Sequence, residues 1–228
     1  MDHLTLLIKP ASSLCNLRCR YCFYEDVSDS RQQKNMGLMT EETVRCLLTA
    51  SAQAVGAGGT IQITFQGGEP TLAGLEFYRS FLALERQLCP PSIRVTHSIQ
   101  TNGMVLDREW AAFLGEHNFL VGLSLDGSRE FHDTLRVDAR GKGTWERVAR
   151  ALALLDSAGA ETNLLCVVTN QLSRSPQKVY QSLKKLGNHP LQFIPCLDPL
   201  EAPRGSMPYS PSPARYGKFL CSLLLLWY

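Results

Sequence analysis

Short apolar runs alternate along this chain with longer segments in which apolar residues recur every three to four positions. Leu4–Lys9, Ile61–Gln66, Arg94–Gln100, Leu120–Asp126, Asn163–Thr169 and Leu191–Pro195 have the length and composition of six strands. Thr40–Val55, Leu75–Leu88, Asp107–His117, Thr144–Ala158 and Ser175–Leu186 carry helical spacing between them. Capping agrees, since Thr40 and Asp107 stand just before acidic first turns. Strict strand–helix alternation predicts an α/β fold of parallel strands joined by right-handed crossovers. A partial (β/α)6 barrel and a flat doubly wound sheet share this pattern, and periodicity alone does not separate them.

At 228 residues the chain suits one domain with a sizeable core. A core over residues 1–200 and a following region over 201–228 are predicted, with the Pro- and Ser-rich stretch Pro203–Pro213 as linker. Tyr216–Tyr228 has an apolar helical pattern. The formal charge of +2 gives no electrostatic case for nucleic acid or an anionic membrane. The longest apolar stretch, near Leu223–Trp227, is far shorter than a bilayer span. Met1-Asp2-His3 is no basic leader and Leu4–Ile8 is too short for a signal core, so a reducing cytoplasm is the expected compartment.

Cysteine changes the picture. Three of the eight, Cys15, Cys19 and Cys22, fall within one run of eight residues, Cys15-Asn16-Leu17-Arg18-Cys19-Arg20-Tyr21-Cys22. A structural zinc site normally takes four protein ligands, and no further Cys or His is near in sequence. Three thiolates can instead hold three corners of a [4Fe–4S] cube and leave one iron open. Cys46, Cys89, Cys166, Cys196 and Cys221 are scattered and read as small buried residues.

The remaining motifs cluster by position. The Cys run follows the first predicted strand, Gln66-Gly67-Gly68-Glu69-Pro70 the second, and Gln100-Thr101-Asn102-Gly103 the third. Ser124-Leu125-Asp126-Gly127 ends the fourth, and Cys196-Leu197-Asp198 follows the sixth. Barrel enzymes build their sites at this carboxyl end. Taken singly, each motif is modest. A Gly pair before Pro is commonly a turn, a strand-end Ser such as Ser124 is commonly structural, and a loop Arg such as Arg136 is commonly solvated. Loop carboxylates such as Asp126 and Asp198 are likewise more often structural than catalytic.

Taken together, the Cys spacing and the Gly67-Gly68-Glu69-Pro70 motif resemble the radical S-adenosylmethionine (SAM) enzymes. Leu6–Ser13, Cys22-Phe23-Tyr24, Phe65–Phe77 and Gln192–Leu200 extend the resemblance to the anaerobic sulfatase-maturating enzymes, from about residue 4 to 228. The resemblance favours the barrel. It implies a [4Fe–4S] cluster on Cys15, Cys19 and Cys22, with SAM chelating the open iron and being cleaved reductively to a 5′-deoxyadenosyl radical. It implies SAM contacts from Gln66 and Gly68 near the ammonium, Ser124 and Arg136 near the ribose and carboxylate, and Tyr21 and Leu197 beside the adenine. Glu69 either accepts from the same ammonium or orders the loop. The implied reaction oxidises a Cys or Ser of a sulfatase polypeptide to formylglycine, with a flavodoxin or ferredoxin supplying electrons.

One departure bears on catalysis. The resembled enzymes continue into a Cys-rich region with two auxiliary clusters and a catalytic Asp base. Pro199–Tyr228 holds no such Cys set, so a core lacking that base is expected, able to cleave SAM and incomplete for the full reaction. A maturase acting on a ribosomal peptide and a non-enzymatic iron–sulfur carrier are the competing readings. The carrier predicts a fourth nearby Cys and no SAM motifs, and neither is present.

Overall fold

A computed structural model describes all 228 residues. Six strands, β1 (His3–Ile8), β2 (Thr60–Phe65), β3 (Arg94–Thr101), β4 (Leu120–Ser124), β5 (Thr162–Val168) and β6 (Leu191–Pro195), pair in parallel in the order of the chain. A doubly wound sheet reverses its strand order at a switch point, and this one never does. With every crossover of one hand, sequential order sends the helices to one side and curls the sheet, giving an open half-barrel. The register aligns Ile8 with Phe65, Phe65 with Ile99, and Ser124 with Leu165, so the loops after the strands leave from one rim.

Eight helices complete the fold: α1 (Phe23–Asp29), α2 (Glu41–Val55), α3 (Leu75–Leu88), α4 (Arg108–Glu116), α5 (Arg129–Leu135), α6 (Trp145–Ser157), α7 (Pro176–Lys184) and α8 (Pro213–Trp227). The Thr40 and Asp107 side chains accept from Thr43 N and Trp110 N and so cap α2 and α4. The helices α1 and α5 are not anticipated by the periodicity. At seven residues each, they are too short to show an apolar repeat.

The core follows from the strand ends outward. Phe65 is fully buried, with Tyr78 and Phe81 of α3 edge-on at 5.1 Å. Edge-to-face pairs of this kind add to plain area burial, and truncating such a ring costs about 3–5 kcal/mol. On α2, Val44, Leu48, Ser51 and Val55 form the buried face. Cys46 lies two positions from both Val44 and Leu48, about 200° around the helix, and is exposed. Cys221 stands in the same relation to buried Phe219 and Leu223 of α8 and is exposed too. For these two the expectation of burial is corrected, while Cys89, Cys166 and Cys196 are buried.

The last helix begins earlier than its apolar pattern suggests, because Ser212 caps it through Arg215 N and Pro213 occupies its first turn. It packs on β6, with Phe219 edge-on to Phe193 at 5.5 Å and Tyr216 Oη donating to the Phe193 carbonyl at 3.0 Å. No helix is long and apolar enough to cross a membrane.

Candidate active site

The Cys loop leaves β1 and is framed by backbone from two directions. Arg18 N donates to the Val137 carbonyl at 2.7 Å and Arg20 N to the Leu135 carbonyl at 2.9 Å, stitching the loop to the chain after α5. On the other side, Gly68 N donates to the Ser12 carbonyl and Glu69 N to the Leu14 carbonyl. A Cβ on Gly68 would collide with the Leu14 carbonyl and the Ser13 backbone, which is why this approach requires glycine.

Glu69 ties the next loop in. Its carboxylate is buried and accepts from Thr71 N, Thr71 Oγ1, Thr101 Oγ1 and, at 2.7 Å, Asn102 N. Burial raises its pKa, and the four donors act the other way. With the carboxylate so engaged, loop ordering is the role the geometry gives it. Asn102 then donates to Asn16 Oδ1 at 2.8 Å, closing the frame back onto the Cys loop.

A second buried network forms at the end of β4. Asp126 accepts from Arg136 Nε at 2.8 Å and Nη2 at 3.3 Å, from Val167 N at 2.8 Å, and from the Tyr21 hydroxyl. Burial alone would raise the Asp126 pKa, but the Arg136 guanidinium and the hydrogen bonds hold it below the ordinary carboxylate value. The same pairing keeps Arg136 charged despite burial. Asp126 N donates to His132 Nδ1, so the His132 proton sits on Nε2 and reaches Thr144 Oγ1 at 3.0 Å. Thr144 Oγ1 in turn donates to the Arg136 carbonyl. A loop Arg is commonly solvated, but Arg136, for which the resemblance implies a SAM contact, is buried. Asp198 is also committed, accepting from Gly205 N, Met207 N and Ser210 Oγ.

These elements enclose a cavity of about 300 Å³ on the carboxyl rim of the sheet. Cys15, Cys19, Cys22, Tyr21, Gln66, Gly68, Ser124, Arg136 and Leu197 all line it. None of the nine predicted site residues lies elsewhere. Leu197 sits at the mouth, 56% exposed, and the Tyr21 ring lies 5.4 Å from the Arg136 guanidinium carbon. Asn102 and His132 were not assigned roles in the sequence. The strand-end placement of Gln100–Gly103 was the available signal for Asn102, and none marked His132.

The donor set can be tested against a cluster. Burial pushes the Cys19 thiol up to about 12, and the neighbouring Cys22 and Cys15 push the same way against the pull of Arg136. Cys15 is raised by burial too. A bound metal cation offsets that penalty at Cys15 and Cys19, because a coordinating thiol is deprotonated. Cys15, Cys19 and Cys22 form no disulfide and line the same cavity, so all three sulfurs are available there as ligands. The residues present therefore fit a three-thiolate cluster.

Residues 10–183 match the family model described as the radical SAM superfamily. Over all 228 residues the chain is 44% identical to a cysteine-type anaerobic sulfatase-maturating enzyme of Clostridium novyi (strain NT), spanning 60% of that protein. It is 36% identical over 222 residues to a serine-type anaerobic sulfatase-maturating enzyme of Klebsiella aerogenes, covering 97% of this chain and 53% of the relative. A solved structure, native anSMEcpe with bound AdoMet, superposes with a TM-score of 0.93 at 45% identity over 99% of this chain and 61% of the other. The same protein with AdoMet and Kp18Cys peptide gives 0.92 at 43% identity, over 99% and 60%. The chain thus spans about 60% of the length of the first of these relatives. The half-barrel, the thiol-lined cavity on its rim and the match over residues 10–183 converge: this chain belongs to the radical SAM superfamily.

Proposed function

We propose that the chain holds a [4Fe–4S] cluster on Cys15, Cys19 and Cys22 and cleaves SAM reductively beside it, as the radical-generating core of a sulfatase maturase. The single observation that carries this reading is the convergence of nine sequence-predicted residues on one cavity. When bound, the cluster supplies one electron that breaks the sulfonium C–S bond of SAM and yields the 5′-deoxyadenosyl radical.

The chain's own residues orient the cofactor. Gly68 would bring backbone to the SAM ammonium with no side chain between, and Gln66, also lining the cavity, would flank it. Arg136 has Nη1 left over from its pairing with Asp126, a charge-assisted donor for the SAM carboxylate. With SAM bound, Ser124 would meet the ribose hydroxyls and Tyr21 and Leu197 would flank the adenine, since all three line the cavity. Asp126 and Asp198 are both committed to structural bonds, so neither is assigned as the base for substrate oxidation.

The substrate in this reading is a sulfatase polypeptide whose Cys or Ser becomes formylglycine. Higher identity to the cysteine-type than to the serine-type relative favours Cys as the target. A flavodoxin or ferredoxin is proposed as electron donor, and the cytoplasm as the compartment, where clustered thiols stay reduced. Residues 1–200 are proposed as the core and 201–228 as a linker and following region, whose helix α8 packs back on β6.

The test is anaerobic reconstitution followed by iron analysis and paramagnetic resonance. One cluster per chain, lost in each of Cys15→Ala, Cys19→Ala and Cys22→Ala, is the expected result. SAM should alter the signal of the reduced cluster. Full iron retention in the triple variant would sink the assignment.

A further inference from the structure

A second cavity, of about 390 Å³, lies behind the first and shares Tyr24 and Gly68 with it. Its wall contains Lys9 and Arg31 and no carboxylate. Neither cation is engaged in an ion pair. Asp29 and Glu41, flanking this region in sequence, are held at 2.8 Å by Lys34 and Arg45.

The Lys9 stem packs beneath Gly67, and its Nζ lies 4.8 Å from the centroid of the Tyr24 ring. Partial burial, and then the charge of Arg31, lower the Lys9 pKa. Two cations brought to one cavity without a counter-ion repel each other, and an entering carboxylate relieves that repulsion. The same cavity wall is apolar at its outer edge, where Met36 is 70% and Leu38 51% exposed. Exposed Met beside Arg is a composition enriched at protein interfaces. A small inorganic anion would satisfy the cations but leave Met36 and Leu38 in water. A protein surface covers both.

We infer that this face docks an acidic one-electron carrier protein, one of whose carboxylates enters between Lys9 and Arg31 while Met36 and Leu38 are covered. The inference rests on the cluster reading above. One electron would leave the carrier, which is oxidised by one electron, and would reduce the cluster that Cys15, Cys19 and Cys22 would hold in the adjoining cavity, which shares Tyr24 and Gly68 with this one. Complementary charge of this kind accelerates encounter and makes it sensitive to salt.

The experiment titrates the reconstituted chain with a reduced flavodoxin, following binding and cluster reduction separately. Arg31→Glu, with Lys9→Gln as a second variant, should weaken flavodoxin binding at low salt by tenfold or more and slow flavodoxin-driven reduction to match. Lys185→Glu, just past α7 beside the opposite edge of the sheet, should change neither. Reduction by dithionite should proceed equally in all variants, and its failure in the unsubstituted chain would instead strike at the cluster reading. Binding unaffected by Arg31→Glu would overturn the docking face. So would tight binding of inorganic phosphate alone that is abolished by the same variants, since it would identify a small-anion site.

Discussion

Asp126 holds Arg136 by two guanidinium nitrogens, at 2.8 Å from Nε and 3.3 Å from Nη2, with both side chains nearly excluded from solvent. A buried pair of this kind is poor evidence of net stabilisation, but removing one partner strands the other as an uncompensated charge. Arg136→Ala should therefore lower unfolding stability by about 3–5 kcal/mol, read as a shift in denaturant midpoint. In protein that remains folded, SAM affinity should fall by about 1.5–3 kcal/mol. An unchanged SAM dissociation constant would remove Arg136 from the cofactor site.

His132 gives the same network a pH dependence. Burial lowers its pKa from 6.5 to about 4, so the unfolded chain takes up a proton at a pH where the folded chain does not. The stability it contributes is complete above pH 6.5 and drains away as pH falls toward 4, by about 3 kcal/mol in total. Denaturant midpoints across that window should fall in the unsubstituted chain and run flatter in His132→Gln. Equal slopes would exclude His132 as the source.

Glu69→Gln replaces an acceptor-only carboxylate with an amide whose NH2 must face backbone or hydroxyl donors. Leaving buried donors unmatched costs about 1–3 kcal/mol each. The variant should lose stability and bind SAM more weakly, though Glu69 is assigned no direct cofactor contact. Isothermal titration and a melting curve on the same preparation would check both effects.

Gly68→Ala and Gly217→Ala should move in opposite directions. At Gly68 the added methyl meets backbone of the Cys loop, so the loops must separate and iron content after reconstitution should drop. At Gly217 nothing lies within 4 Å of an added Cβ, and the residue is exposed within α8. There, the alanine should raise stability by about 0.8–1 kcal/mol. A destabilised Gly217→Ala would show that α8 is under a constraint other than helix propensity.

The strands and long helices were legible because each carries its own periodicity, and the choice of a barrel over a flat sheet was not, because strand order leaves no local trace. The Cys run and Gly67–Pro70 announced themselves by spacing. Arg136 was visible only through resemblance, since its burial depends on Asp126, ten residues away, and on the otherwise unremarkable His132 and Thr144. Asn102 shows the same limit. Its bond to Asn16 spans 86 positions and exists only once β1, β2 and β3 are side by side.

The seam between Arg18, Arg20 and the carbonyls of Val137 and Leu135 ties the ligand loop to main chain more than a hundred residues downstream. Exchange of those two amide protons with solvent can proceed only as fast as that seam opens. Cys19 lies between them, so loss of iron from the proposed cluster would be expected to quicken wherever that exchange quickens. Leu17 and Asp138 are paired antiparallel at one end of the seam, so the two segments are held together as a short ribbon.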